Sequence, residues 1–391
     1  MRELIRRIDS ATPADRDRAV DALRAMAILG VVLGHWMVTA LVVDSGVVHG
    51  DSPLHHMPGF TPVSWVFQTL AVFFLVGGQV GAQGYTAARA RGTTYRQWLG
   101  VRMMRLFRPA AVLLAVWTLA VLVMLAVGVD GVTVYTLCKR VLSPLWFLVV
   151  FAGLTAATPL VAKVHPVWPL AIVLAVDVNR FALHGPGWIN AANVAAGWLV
   201  PYCLGAAWAR GRLKSRVTGW ALLLGGTAAT AGLILWGGYP ASMVGVPGER
   251  VSNLDPPTLA AVAFGLAQCG AALVLLGPIR RVLARPAVWA VVALANLSAM
   301  TIFLWHQTAM MTVTTLGLLA GDPLPGLHTV PDSLGWVWAR LAWLPVFALA
   351  LMLCWAAFHT YEHGRRRQHR GGAGRVVHQR RPEPSAPAPR V

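Results

Sequence analysis

Two residues in the first apolar run of this chain are of types that do chemistry. They are Arg24 and His35, in the stretch DALRAMAILGVVLGHW. They stand eleven residues apart, and at about 100° per residue that returns both to one helix face, roughly 16 Å apart. An imidazole titrates near neutral pH, so it acts either as a general base or as a hydrogen-bonding group between helices. Asp21 lies one turn before Arg24, at a spacing that allows the two to pair. Ionisable groups inside a span cost about 2.5–3.5 kcal/mol each, so they tend to face a cavity or pathway. The expected placement puts Arg24 at the mouth of the first span and His35 near the bilayer centre.

Other candidates are spaced along the chain. Arg102 and Arg105, in VRMMRLFRP, are one helical turn apart, and Arg108 extends the row. Guanidinium groups on one face suit phosphate through bidentate hydrogen bonds. Arg89, Arg91 and Arg96 in the same loop read as orientation anchors. His306 falls inside a late apolar run with Ser298 about two turns away, and both read as lining a channel or as bonding between helices. Trp146 opens a span, where tryptophan serves as an interfacial anchor or lines a pore. Glu362 ends the last apolar run among basic neighbours. Asp177 and Asn179 fit a short helix that ends at the outer interface.

The remaining patterns exclude other chemistries. His49, Asp51, His55 and His56 share one loop but lack the spacing of a dedicated metal site, and no metal is expected. The four cysteines show no CxxC spacing, so neither a thiolate site nor a disulfide framework is indicated. Gly-rich phosphate loops, nucleophile elbows and His-Glu-x-x-His are absent from the sequence.

The elements that must position these residues follow from composition. Of 391 residues, 57% are hydrophobic and only 12% charged, with a mean hydropathy of +0.60. A soluble domain would need more polar surface, and apolar runs of bilayer-spanning length recur to the end. The expected fold is an all-α integral membrane protein with about ten helices in one bundle. Its spans are read as 20–43, 63–83, 109–129, 144–163, 167–179, 191–209, 217–236, 259–277, 296–320 and 336–358. The loops 44–62, 130–143, 180–190, 237–258 and 321–335 are read as outward.

A net charge of +18 does not point to nucleic acid, because the basic residues cluster between apolar runs. Most fall on one side of the ten spans, which places both termini in the cytoplasm. No removable leader is expected, since the first 20 residues are polar and the first run lacks a small-residue cleavage site. Residues 1–19 form a cytoplasmic segment, 20–358 the transmembrane domain, and 359–391 a basic tail read as disordered beside an anionic membrane leaflet. No internal repeat is evident, which argues against transporter folds built from duplicated halves. The Arg-, Ala-, Gly- and Val-rich composition fits a GC-rich bacterial genome.

The motifs together resemble the membrane-bound acyltransferase-3 family. Asp-x-Leu-Arg followed, after ten intervening residues, by His35 is its first-span pattern. FFLVGGQV (Phe73–Val80) matches the second span, with Gly77-Gly78 where Ser-Gly is common. Arg102 to Arg105 match its RxxR motif. PLWFLVVF (Pro144–Phe151) matches a later Leu-Trp-Phe-Leu opening. NLSAMTIFLWHQ (Asn296–Gln307) resembles the penultimate span, and FHTYEHG (Phe358–Gly364) the closing Glu-x-Pro element, with Gly364 in place of proline. The resemblance covers about residues 15 to 365.

That resemblance implies transfer of an acyl group, usually acetyl, from cytoplasmic acyl-CoA to a hydroxyl of a glycan, glycolipid or small molecule. Membrane lipid is a partner in either reading, and nucleic acid is not. Under it, Arg102 and Arg105 hold the donor. His35 takes the acceptor's proton or carries the acyl group itself, and Arg24 orients the donor or pairs with Glu362. Asp21, Trp146, Ser298 and His306 are weaker candidates for the channel wall. No appended extracytoplasmic domain is expected after the tenth span, so the bundle or a separate partner protein is expected to supply everything else. Two other classes remain in play: a plasma-membrane transporter using Arg24 and His35 as a proton or substrate pathway, and a catalytically idle relative that assists a biosynthetic complex. Release of coenzyme A separates the enzyme from the transporter.

Overall fold

Long apolar runs give long helices here because a backbone out of water must satisfy its own hydrogen bonds. The computed structural model describes residues 2–13, 16–213 and 215–362. Among the described residues, seven helical segments are long and apolar enough to cross a membrane: Arg18–Val38, Pro58–Ala90, Tyr95–Ala126, Gly131–Ala156, Arg216–Leu235, Leu259–Leu283 and Leu334–Glu362. Pro286–Leu297 and the helical stretch Ala299–Ala320, bent by 72° at Ser298, make an eighth if they act as one broken span.

The expected ten are therefore met by seven or eight. The run at 167–179 yields only an eleven-residue helix, Val167–Asp177, which passes into a π turn, Val178–Ala182. Its terminal acid is structural: the buried Asp177 carboxylate accepts from Asn193 (3.0 Å), Tyr239 (2.9 Å) and the Leu259 amide (2.6 Å). These bonds pin the 237–258 loop to two helices. Burial and the adjacent Asp177 charge push the Tyr239 phenol upward. The run at 191–209 forms the helix Ala192–Ala209, which is not among the candidate spans.

Several boundaries differ from expectation. After a short helix, Arg2–Ser10, the first membrane-length helix (the first helix below) stops at Val38 rather than 43, and the chain turns into an antiparallel hairpin, Ala40–Asp44 with Val47–Asp51. Its two-residue turn, Ser45-Gly46, has positive φ at both positions (50° and 80°), the geometry that twists with the strands. The stretch expected as loop 130–143 is the helix Gly131–Leu142. Asp130 caps it, accepting from Thr133 (2.8 Å) and Val132 (3.1 Å). Those bonds, Thr133's first, hold its carboxyl below the usual range. The last helix runs to Glu362, past the expected tail boundary at 359, and the rest of the tail lies outside the described residues.

Helices meet closely where glycine leaves room. A Cβ at Gly78 would strike the Tyr202 carbonyl, and one at Gly205 the Leu75 carbonyl. The Leu70–Ala90 and Ala192–Ala209 helices therefore touch backbone to backbone, as small residues permit in membranes. Gly226 and Gly270 do the same between Arg216–Leu235 and Leu259–Leu283. The largest core cluster gathers aromatics, among them Phe74, Phe147, Trp198, Phe303 and Trp305.

One cation lies inside that core. Arg340 is 1% exposed and has no ion pair among the described residues. It donates to the carbonyls of Trp36 (2.6 Å), Thr39 (2.6 Å) and Gly326 (2.8 Å). Its guanidinium also sits 4.7 Å from the Phe347 ring centroid. The end of the first helix, which would otherwise present unpaired carbonyls, is thus closed by the last helix.

Candidate active site

The first helix starts under an Asp17 cap, whose side chain accepts from the Ala19 amide. Six residues into that helix is Arg24. Its Nε donates to Asn296 Oδ1 at 2.6 Å and its Nη2 to the Asn296 carbonyl at 3.3 Å. The Asn296 amide in turn donates to the carbonyls of Asp21 (2.7 Å) and Val292 (3.0 Å). The expected Asp21–Arg24 pair does not form. Asp21 accepts from Arg16 instead (2.6 and 3.0 Å), and this bond raises the Arg16 pKa. Arg24 is held by a neutral amide, and among the described residues no ion pair offsets its charge beside the cavity.

That cavity is large, about 1490 Å³, and Arg24, Arg91, Arg102, Arg105, Gln97 and Glu362 supply much of its polar wall. Arg102 enters because Gly84 leaves space for its guanidinium. It donates to the Val80 carbonyl at 3.2 Å and lies 4.8 Å from the Trp98 ring centroid. The helix carrying it, Tyr95–Ala126, begins with a capping box between Thr94 and Gln97. Arg105 is exposed at the same mouth. Arg91, read from sequence as an anchor, belongs to this wall as well.

Glu362 lines the cavity but makes no ion pair with Arg24. Its carboxylate accepts from the backbone amides of Met300 and Thr301, each at 3.1 Å, and from the Thr301 hydroxyl at 2.8 Å. It thus caps the Ala299–Gly317 helix, at the positive end of the helix dipole.

His35 stands in the last turn of the first helix rather than midway along a span. It lines a second cavity of about 170 Å³ with Arg140, Trp146, Thr39, Ser52 and Gln68. Its Nδ1 meets the Gln307 amide nitrogen at 3.0 Å, and its ring centroid lies 5.1 Å from that of His306. His306 is fully buried, and its Nδ1–H donates to the Phe303 carbonyl at 2.6 Å. Among the described residues its Nε2 and the Gln307 side-chain oxygen have no hydrogen-bond partner. The Trp36 indole donates to the His306 carbonyl at 3.0 Å, locking the two helices at this level.

The two cavities share Phe147 and Phe303 as lining residues. Their rings lie 5.3 Å apart, so this aromatic pair is the partition between a large basic chamber and a small polar one. The first helix contributes to both, through Arg24 and Ile28 below and Val31, Gly34, His35 and Val38 above.

Of the weaker wall candidates, Trp146 lines one of these two chambers and the others line neither. Ser298 lies at the helix break, where its hydroxyl accepts from the Trp355 indole (2.7 Å). Asp21 and His306 are engaged as described and line neither chamber. Four residues went unassigned in the sequence: Asn296, Gln307, Arg140 and Arg340. Asn296 and Gln307 are the ends of a quoted motif and are eleven residues apart, as Arg24 and His35 are. That matching interval was the available signal. In the loop around His49, the His56 ring pairs with Asp51 at 2.7 Å. Among the described residues no three His, Cys, Asp or Glu converge as metal ligands.

No curated protein and no solved structure matches this chain. The model of one family, described as an acyltransferase domain, matches residues 17–363. That span holds the first helix, both chambers and the last helix, and the chain therefore belongs to the acyltransferase-3 family of membrane acyltransferases.

Proposed function

We propose that the protein moves an acyl group, acetyl foremost, from acyl-CoA in the large chamber to a hydroxyl held in the small one. The acceptor is a glycan, glycolipid or small molecule. The observation that carries this reading is the pair of chambers divided by Phe147 and Phe303, with a basic wall on one side and His35 on the other. Such a layout suits a donor with a phosphate-rich head and a long thin arm. Arg91, Arg102 and Arg105 would hold the phosphates by charge-assisted hydrogen bonds, with Arg24 deeper along the same wall. The thioester end would then reach the aromatic partition.

On the far side, the acceptor oxygen attacks the thioester carbonyl carbon while His35 takes its proton. The carbon–sulfur bond breaks, and the thiolate leaves and is protonated to coenzyme A. The Gln307 amide can turn its oxygen toward Nδ1–H, which leaves the Nε2 lone pair free to act as base. His306, Trp36 and Gln307 hold that ring in place. With the basic chamber facing the cytoplasm and its acyl-CoA pool, both termini are cytoplasmic and the small chamber faces outward across the plasma membrane. Membrane lipid surrounds the bundle, and a separate biosynthetic protein would present the acceptor.

The test is acetyl-CoA turnover in membranes carrying wild type or His35→Ala at matched levels, with label followed into lipid, glycan and small-molecule fractions. Transfer that disappears in His35→Ala supports the reading. Label transfer that survives the substitution removes His35 from the chemistry, and substrate movement without coenzyme A release makes the protein a transporter.

A further inference from the structure

The small chamber holds a charge that acyl transfer to a neutral hydroxyl does not require. Arg140 projects into it from the Gly131–Leu142 helix, and the guanidinium has no hydrogen bond or ion pair among the described residues. Asp51 is near enough to act on it electrostatically. However, the Asp51 carboxylate is already bonded to the His56 ring and the Ser52 amide, each at 2.7 Å. The hairpin also makes room for the group, because a side chain at Gly50 would collide with the guanidinium. An unpaired guanidinium in a confined chamber is costly, and five donors in a planar fork are suited to carboxylate or phosphate.

The other walls describe the rest of the ligand. Trp146, 38% exposed, offers an indole face to the apolar side of a sugar or similar ring. The hydroxyls of Ser52, Ser64 and Ser143 are each used in local backbone bonds. Arg140 and His35 are therefore the ionisable groups that face an incoming molecule, beside Thr39 and Gln68. A chamber of about 170 Å³ holds about six waters' worth of polar ligand.

Building on the acyl-transfer reading above, we propose that the acceptor is anionic, with a carboxylate or phosphate placed near the hydroxyl that is acylated. Arg140 binds the anion, Trp146 supports the ring or carbon skeleton, and His35 faces the hydroxyl. Arg140 would then select the acceptor, while the donor chamber is indifferent to it.

Paired probes that differ only in the anionic group test this on the full-length protein in nanodiscs. Methyl β-glucuronide is compared with methyl β-glucoside, and glycerol 3-phosphate with glycerol, using labelled acetyl-CoA. The first pair reads a carboxylate and the second a phosphate. In at least one pair the anionic member is expected to have a KM lower by about tenfold or more. Arg140→Gln should erase that ratio, and Arg140→Lys should restore part of it; the Lys variant and a monodisperse elution profile show that the fold is intact. A wild type that treats both members of each pair alike overturns the proposal and leaves acyl transfer standing. So does an Arg140→Gln variant whose kcat falls equally for charged and neutral acceptors, because Arg140 would then serve the thioester. Coenzyme A release that no acceptor stimulates, and that His35→Ala leaves unchanged, overturns the acyl-transfer reading itself.

Discussion

The Arg24 guanidinium bonds Asn296 across 272 residues of chain, and His35, eleven residues on, meets Gln307 across the same 272. Two segments that run in parallel thus hold each other in register at both chambers. The break at Ser298 lies between the two contacts. Any shift of one segment along the other would loosen both pairs together.

The Arg24 end of this register is tested by Asn296→Leu. Losing the amide leaves Arg24 only the longer bond to the residue-296 carbonyl and frees the Asp21 carbonyl. A hydrogen bond to a charged group contributes about 1.5–3 kcal/mol, so kcat/KM for acetyl-CoA should fall about 10- to 100-fold. The acceptor KM should stay near the wild-type value. A variant with unchanged donor kinetics would show that Arg24 needs no such support.

At the other end, Gln307→Leu removes the group that bonds His35 Nδ1. The expected result is a kcat lower by about tenfold or more with little change in donor KM, because the base is misoriented rather than the donor released. Gln307→Glu, which keeps an oxygen facing the ring, should retain more activity than Gln307→Leu. Equal losses in both would argue against an orienting role.

Glu362→Ala strips three donors of their acceptor at the start of the Ala299–Gly317 helix. Loss of a helix cap costs about 1 kcal/mol, with a similar amount for the dipole interaction. Thermal unfolding in detergent should shift downward accordingly, and Glu362→Gln, which keeps an oxygen but no charge, should fall between. A variant as stable as wild type would mean the cap contributes nothing.

The aromatic partition makes a prediction about acyl length. Phe303→Ala removes one of the two rings between the chambers and should raise the rate with butyryl-CoA relative to acetyl-CoA. The measure is the ratio of the two kcat/KM values in one membrane preparation. An unchanged ratio would place the acyl path elsewhere.

Much of the frame was legible because long apolar runs have few solutions in lipid. The family motifs likewise lead to residues around two adjoining chambers. The boundaries were less legible, for particular reasons. ALVVD follows the first helix with more apolar, β-branched residues, so the run reads as continuous although it turns into a hairpin at Ala40. The 131–142 helix carries a signal that was passed over: Asp130 is a cap, and the buried Val134, Leu137 and Val141 recur at helical spacing. Arg140 follows Lys139 and so looks like one more surface cation. Its position in the small chamber depends on Gly50, ninety residues earlier in sequence. Asn296 and Gln307 have no local pattern of their own, since each is defined by a partner on the first helix.

Arg340 sets a condition on biosynthesis. It closes the end of the first helix from a position 304 residues beyond Trp36 and 301 beyond Thr39. A nascent chain therefore inserts its first helix long before the group that completes it leaves the ribosome. Until the last helix docks, the Trp36 and Thr39 carbonyls at the end of that helix lack the donor that satisfies them. The final helix thus completes the assembly: a molecule truncated before Leu334 would keep the partners of Arg24 and His35 yet lack both the group that closes the first helix and the Glu362 cap.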